Sequence, residues 1–225
     1  MSHAKFESML QRALDARMHE ISRRRLFRNA AIAGGSMAAI GTVGFAAAQE
    51  ATPVAEEAPF ADGVEVANYA LTLEHLETAF YRDGLAELGV DAFTALGFQA
   101  NVFDRLSEIG AHEAEHVVAL TGVVESLGGE PVAEATYDFG YTDAAGFLQV
   151  AQALEDTGVS AYQGAAQYLI GAPDILTAAL TIHGVEARHA AYIALLNGAV
   201  PFPEDVNPTL TPAEVLEIAT PLIVG

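Results

Sequence analysis

The sequence predicts an all-α protein: a four-helix bundle of two antiparallel hairpins joined by one long crossover, with a short helix after it. Three observations support this. From Phe60 onward apolar residues recur at helical rather than alternating spacing. Turn signals divide that region into four long segments. The gap between the second and third segments is much longer than the other two, which separates this connectivity from a plain up-down bundle.

The first helix is expected from Asp62 to Leu88, with Tyr69, Leu73, Leu76 and Phe80 marking its inner stripe. The second is expected to start near Phe93 and run to Leu127, where Gly128-Gly129 supplies a stop. Thr142-Asp143 is a suitable N-cap pair for the third, which continues to about Ile170. Gly171-Ala172-Pro173-Asp174 then breaks the chain. The fourth runs to Leu196 and is closed by Asn197-Gly198 and Pro201. Short links make the first and second helices antiparallel neighbours, and likewise the third and fourth. The 14 residues from Gly128 to Tyr141 show no helical pattern. Extended at roughly 3.3 Å per residue, they suffice to run the length of a bundle. The bundle is placed at 60–200 and a tail at 201–225, in which Thr211-Pro212-Ala213-Glu214 opens a short helix packed outside the bundle.

The first 48 residues read as an address. Arg23-Arg24-Arg25-Leu26-Phe27 precedes a Gly- and Ala-rich apolar stretch that ends in Phe45-Ala46-Ala47-Ala48, a small-residue cleavage pattern. The paired arginines, the spacing and Phe27 resemble a twin-arginine export signal. That resemblance implies export of an already folded protein, often with its metal loaded. Glycine and alanine make the stretch a poor permanent span, so no stable membrane span is expected after cleavage near Ala48. Residues 49–59 form a short linker.

Composition removes several classes of function. The chain of 225 residues has no cysteine, so disulfides, thiolate metal sites and cysteine nucleophiles are absent. A metal would have to sit on carboxylate, imidazole or water. Seven of the ten basic residues lie in the first 28 positions; beyond Ala48 only Arg82, Arg105 and Arg188 face 27 acidic residues. Such a surface repels phosphate backbones and excludes nucleic acid as a partner. Scarce lysine with abundant acid also points to a high-salt environment, where screening reduces self-repulsion.

Each long helix carries a carboxylate among apolar residues, which is costly unless something neutralises it. The second helix holds Glu113-Ala114-Glu115-His116 and the fourth Glu186-Ala187-Arg188-His189, two Glu-x-x-His motifs. Three-residue spacing puts both side chains on one helix face. The first and third helices offer Glu74 and Glu155, each followed seven residues later by a tyrosine, Tyr81 and Tyr162. With 18 glutamates and 5 histidines in 177 residues, roughly half a Glu-x-x-His match arises by chance. Two matches, ordered with the lone glutamates, say much more.

This order of ligand types resembles the ferritin-like superfamily, in particular its exported, desiccation-associated branch, over about Phe60 to Leu196. The resemblance implies a centre of two iron or two manganese ions. Glu113 and Glu186 would bridge them, Glu74 and Glu155 would be terminal, and His116 and His189 would each cap one ion. Tyr81 and Tyr162 would hydrogen-bond the carboxylates from outside the ligand set. The residues alone also allow Tyr81 and Tyr162 to be ordinary core tyrosines. Glu77 and Glu115 are expected to face solvent or a subunit interface, with Glu77 a substitute for Glu74 and Asp156 for Glu155. His75, His112 and His183 are expected to flank the site or lie partly exposed. The functional expectation is an exported oxidoreductase acting on dioxygen or peroxide in stress defence, for which a homodimer is compatible. The alternative is a structural or desiccation-protective bundle whose metal only stabilises it.

Overall fold

The computed structural model describes residues 59–224, so the expected signal and nearly all of the linker lie outside the described residues. The described chain is helical, with α1 (Gly63–Ala95), α2 (Asn101–Ser126), α3 (Ala144–Ala165), α4 (Pro173–Leu196) and α5 (Pro212–Ala219). A 3-10 turn, Ala166–Leu169, prolongs α3. Among the described residues no helix is long and apolar enough to cross a membrane.

The caps expected at Asp143 and Thr211 form, and Asp62 caps the first helix as well. Asp62 accepts from Val64 N at 2.9 Å and Glu65 N at 3.0 Å, and Asp143 accepts from Gly146 N at 2.8 Å. Thr211 and Glu214 form a capping box at the start of α5. One boundary differs. The second helix begins at Asn101, and Phe93 belongs to the last turn of α1. Gly89, at φ 66°, breaks α1 without ending it, and the reversal waits for Gly97, at φ 92°. The extra turn of α1 buries Phe93 completely.

Helix directions follow from side-chain pairs. Tyr81 on α1 meets Glu155 on α3 while Tyr162 on α3 meets Glu74 on α1, so these two helices run antiparallel. Asn197 reaches Leu148 O and Gln152 reaches Ala190 O, which makes α3 and α4 antiparallel as well. In an up-down bundle α1 and α3 would be parallel. A crossover of bundle length is what reverses α3.

That crossover is tied along α1 at heptad intervals. Asn68 holds Glu130 O at 3.0 Å and Val132 N at 2.8 Å, His75 meets Val132 O at 3.1 Å, and Arg82 pairs with Glu134 at 3.0 Å. Phe139 and Tyr141 then close one end of the bundle against Phe80 and Phe147, whose rings stack at 4.4 Å.

The tail does more than pack outside the bundle. Leu210 lies so close to Gly164 that no Cβ fits there, and Val215, Ile218 and Leu222 are buried. This cover explains why α3 is buried on nearly every side, whereas α2 buries only the stripe Leu106, Ile109, Glu113, His116, Leu120 and Val124. Asp138 N donates to Leu222 O at 2.9 Å and Val224 N to Thr136 O at 2.8 Å, joining tail to crossover.

Candidate metal centre

At mid-bundle the apolar core gives way to acid. Glu74, Glu113, Glu155 and Glu186 are each 0 % exposed, and His116 and His189 are 8 % and 5 % exposed. One side chain or pair comes from each of the four long helices, so the site exists only when all four are assembled.

The donors form two groups. Glu74, Glu113, His116 and Glu186 place one ligating atom each within 4.8 Å of one another; so do Glu113, Glu155, Glu186 and His189. Glu113 and Glu186 are common to both. Glu113 shows how: its Oε2 lies 2.9 Å from Nδ1 of His116 and its Oε1 2.8 Å from Nδ1 of His189. The remaining contacts of His116 Nδ1 are Glu186 Oε1 at 3.0 Å and Glu74 Oε2 at 3.1 Å. A single ring nitrogen cannot donate to three carboxylates at once. Accordingly, both Glu186 oxygens, Glu113 Oε1, Glu155 Oε2 and His189 Nδ1 lack a properly directed hydrogen bond despite these short approaches. Buried polar atoms converging without pairing are arranged for a cation rather than for each other.

The outer contacts are consistent with that. Tyr81 donates to Glu155 Oε1 and Tyr162 to Glu74 Oε1, both at 2.5 Å, which leaves the second oxygen of each glutamate for the centre. His112 Nδ1 lies 2.9 Å from His189 Nε2, and the rings stack at 5.2 Å. One of these two ring nitrogens donates to the other, and the contact orients the His189 ring. Gly110 lets α1 come close at the site, since a Cβ there would stand 2.8 Å from Cβ of Tyr81.

Electrostatics alone disfavour the bare cluster. Burial pushes Glu74 up to about 7, and burial together with neighbouring carboxylates pushes Glu77 and Glu186 well above the carboxylate range. Glu155 rises for the same first reason. Burial acts in the same sense on Glu113, but the close approach of His116 and His189 outweighs it and holds this acid at about 2. Burial alone would lower both histidines; the surrounding carboxylates instead raise His116 to about 12 and His189 to about 9. No arginine enters: Arg82 pairs with Asp83 and Glu134, Arg105 with Glu108, and Arg188 is exposed.

A sequence profile of the ferritin-like domain matches residues 62–199, more than half of the chain. The protein belongs to the ferritin-like family. No curated protein matches it significantly. The matched segment spans α1 to α4, and so contains every residue of the two donor groups.

All six residues expected as ligands in this ferritin-like bundle come together, and Tyr81 and Tyr162 sit against them. Glu115 is exposed as expected, His75 is engaged with the crossover, and His183 and Asp156 stay outside both donor groups. Glu77 overturns its expectation: it is 3 % exposed and buried beside Glu186, though outside both donor groups, not at solvent or a subunit interface. Its position three residues after Glu74 puts it on the same helix face, and that spacing could have shown it. An open cleft of about 350 Å³ on the α2–α4 side, lined by Arg105, His112, His116, Arg188, His189 and Tyr192, leads to the two histidines.

Proposed function

We propose that this ferritin-like protein holds a dinuclear iron or manganese centre and acts on dioxygen or peroxide as an exported stress-defence oxidoreductase. The observation that carries the reading is the pair of four-residue donor groups sharing Glu113 and Glu186. Two cations side by side need shared carboxylates between them, and carboxylate with imidazole suits iron and manganese. Such a pair, when bound, supplies one-electron redox steps for reducing or dismutating a small oxidant.

The protein's own residues do the rest. Glu113 and Glu186, common to both donor groups, would hold both ions, Glu74 and Glu155 would each hold one, and so would His116 and His189. Tyr81 and Tyr162 orient the terminal carboxylates, and His112 orients His189. The α2–α4 cleft admits a molecule of a few atoms, while the aromatic layer around Phe80 and Phe147 keeps bulk water from that end.

Export rests on the Arg23-Arg24-Arg25 leader and its Ala46-Ala47-Ala48 end, and the desiccation-associated branch on the leader together with the ligand order. A protective bundle whose metal only stabilises the fold is the second reading, favoured by the weight of acid on the surface.

The test is metal content and peroxide turnover of the protein from the exported fraction. Two iron or manganese ions per chain with turnover are expected. Two ions without turnover of peroxide or dioxygen would favour the protective bundle, and a folded protein without metal would overturn the dinuclear reading.

A further inference from the structure

The helices α1 and α3 carry site residues in the same pattern, Glu74 with Tyr81 and Glu155 with Tyr162, and the two pairs bond reciprocally. This is a local two-fold relation. Three residues beyond each glutamate, however, the helices differ: α1 has Glu77 and α3 has Gly158. Both positions lie midway between glutamate and tyrosine, so both fall near the local axis.

Only one of them can be filled. A Cβ on Gly158 would stand 3.2 Å from Oε1 of Glu77 and 3.4 Å from Oε2 of Glu186. The Glu77 carboxylate therefore crosses from α1 to the surface of α3 and lies beside one of the two shared carboxylates. The charged groups around it from every packed helix are carboxylates: Glu186 on α4, Glu155 on α3, Glu74 on α1 and Glu113 on α2. Among the described residues no arginine or hydrogen-bond donor meets it. A carboxylate so buried needs a counter-charge, and both histidines are already engaged by the other four acids.

We propose that Glu77 is a seventh protein ligand of the centre, entering on the local axis from the α1–α3 side, and that Gly158 is the clearance it requires. The inference rests on the dinuclear reading. It also alters the charge balance. Four carboxylates are neutralised by two divalent ions, whereas a fifth leaves one negative charge that a trivalent ion offsets. Glu77 therefore biases the centre toward ions that reach the trivalent state, as iron and manganese do and zinc does not.

The experiment titrates the metal-free full chain with manganese(II) by calorimetry and follows thermal unfolding with and without the ion. Glu77→Gln should still take two ions but lose affinity for at least one, on the order of tenfold or more. Without metal it should melt no lower than wild type, because a buried charge is gone. Gly158→Ala should weaken binding in the wild-type background and add nothing to Glu77→Ala, which has no carboxylate left to displace. Equal affinity in wild type and Glu77→Gln, or an equal effect of Gly158→Ala in both backgrounds, would overturn the seventh ligand and leave the dinuclear centre standing. Fewer than two ions on wild type would instead overturn the reading beneath it.

Discussion

Glu113 and Glu186 differ from the other acids of the centre in belonging to both donor groups. In the proposed dinuclear centre, removing either would take a ligand from two ions together, whereas removing Glu74 or Glu155 would take one. Glu113→Ala and Glu186→Ala should each abolish loading of the second ion and lower the first. His75→Ala should leave metal content unchanged, because His75 holds Val132 O of the crossover at 3.1 Å instead. Metal counted per chain after dialysis checks this, and equal loss in all three variants would refute the assignment. The six residues that cluster were legible because two Glu-x-x-His motifs recur in order with two lone glutamates. Glu77 shares the helix face of Glu74 by its three-residue spacing, a signal that its expected solvent exposure overlooked. Its inward direction depends on Gly158, on another helix.

Among the elements, α3 depends most on its ends and its cover. Its N-terminus is held by Asp143, whose carboxylate accepts from Gly146 N at 2.8 Å. Asp143→Ala should cost roughly 1 kcal/mol of stability, read as a lower urea midpoint at unchanged slope. Metal stoichiometry should stay the same, since Glu155 lies three turns away from the cap. Helical periodicity located all four long helices, and the capping residues located α3 and α5. The start of α2 escaped because Gly89 reads as a terminator, yet the chain resumes one helical turn beyond it to bury Phe93. Local signals cannot distinguish a break from an end when the next apolar residue still has a place in the core.

For the whole molecule the main tension lies between a well-packed bundle and the acid at its centre. Without metal, folding raises Glu74 from the usual 4.5 to about 7 by burial, and His189 from 6.5 to about 9 because the nearby carboxylates of Glu113 and Glu155 outweigh burial. Groups raised in the folded state bind protons more tightly there than when unfolded, so their contribution is complete at low pH and lost as pH rises. Glu74 acts across 4.5 to about 7 and His189 across 6.5 to about 9, and Glu77, Glu155 and Glu186 act in the same sense. Glu113, held at about 2, acts oppositely, and its contribution is lost only in stronger acid. The metal-free protein should therefore melt progressively lower from pH 5 to pH 9, measured in high salt to damp surface repulsion. Bound metal replaces those protons, so its stabilisation should grow over the same interval. A metal-free melting temperature that climbs with pH would contradict the buried cluster.

By itself the sequence determined the helical class, the hairpin–crossover–hairpin order, the capped tail helix and the carboxylates and histidines that could meet, because each depends on periodicity, turn chemistry and spacing along a single segment. Only the tertiary structure decided which oxygens of Glu113 face which histidine, that Glu77 turns inward over Gly158, that His112 backs His189, and that the tail clasps the crossover through Leu222 and Val224. Those features involve atoms from helices far apart in the chain. Their positions follow from how four stripes pack together, and no local pattern records that.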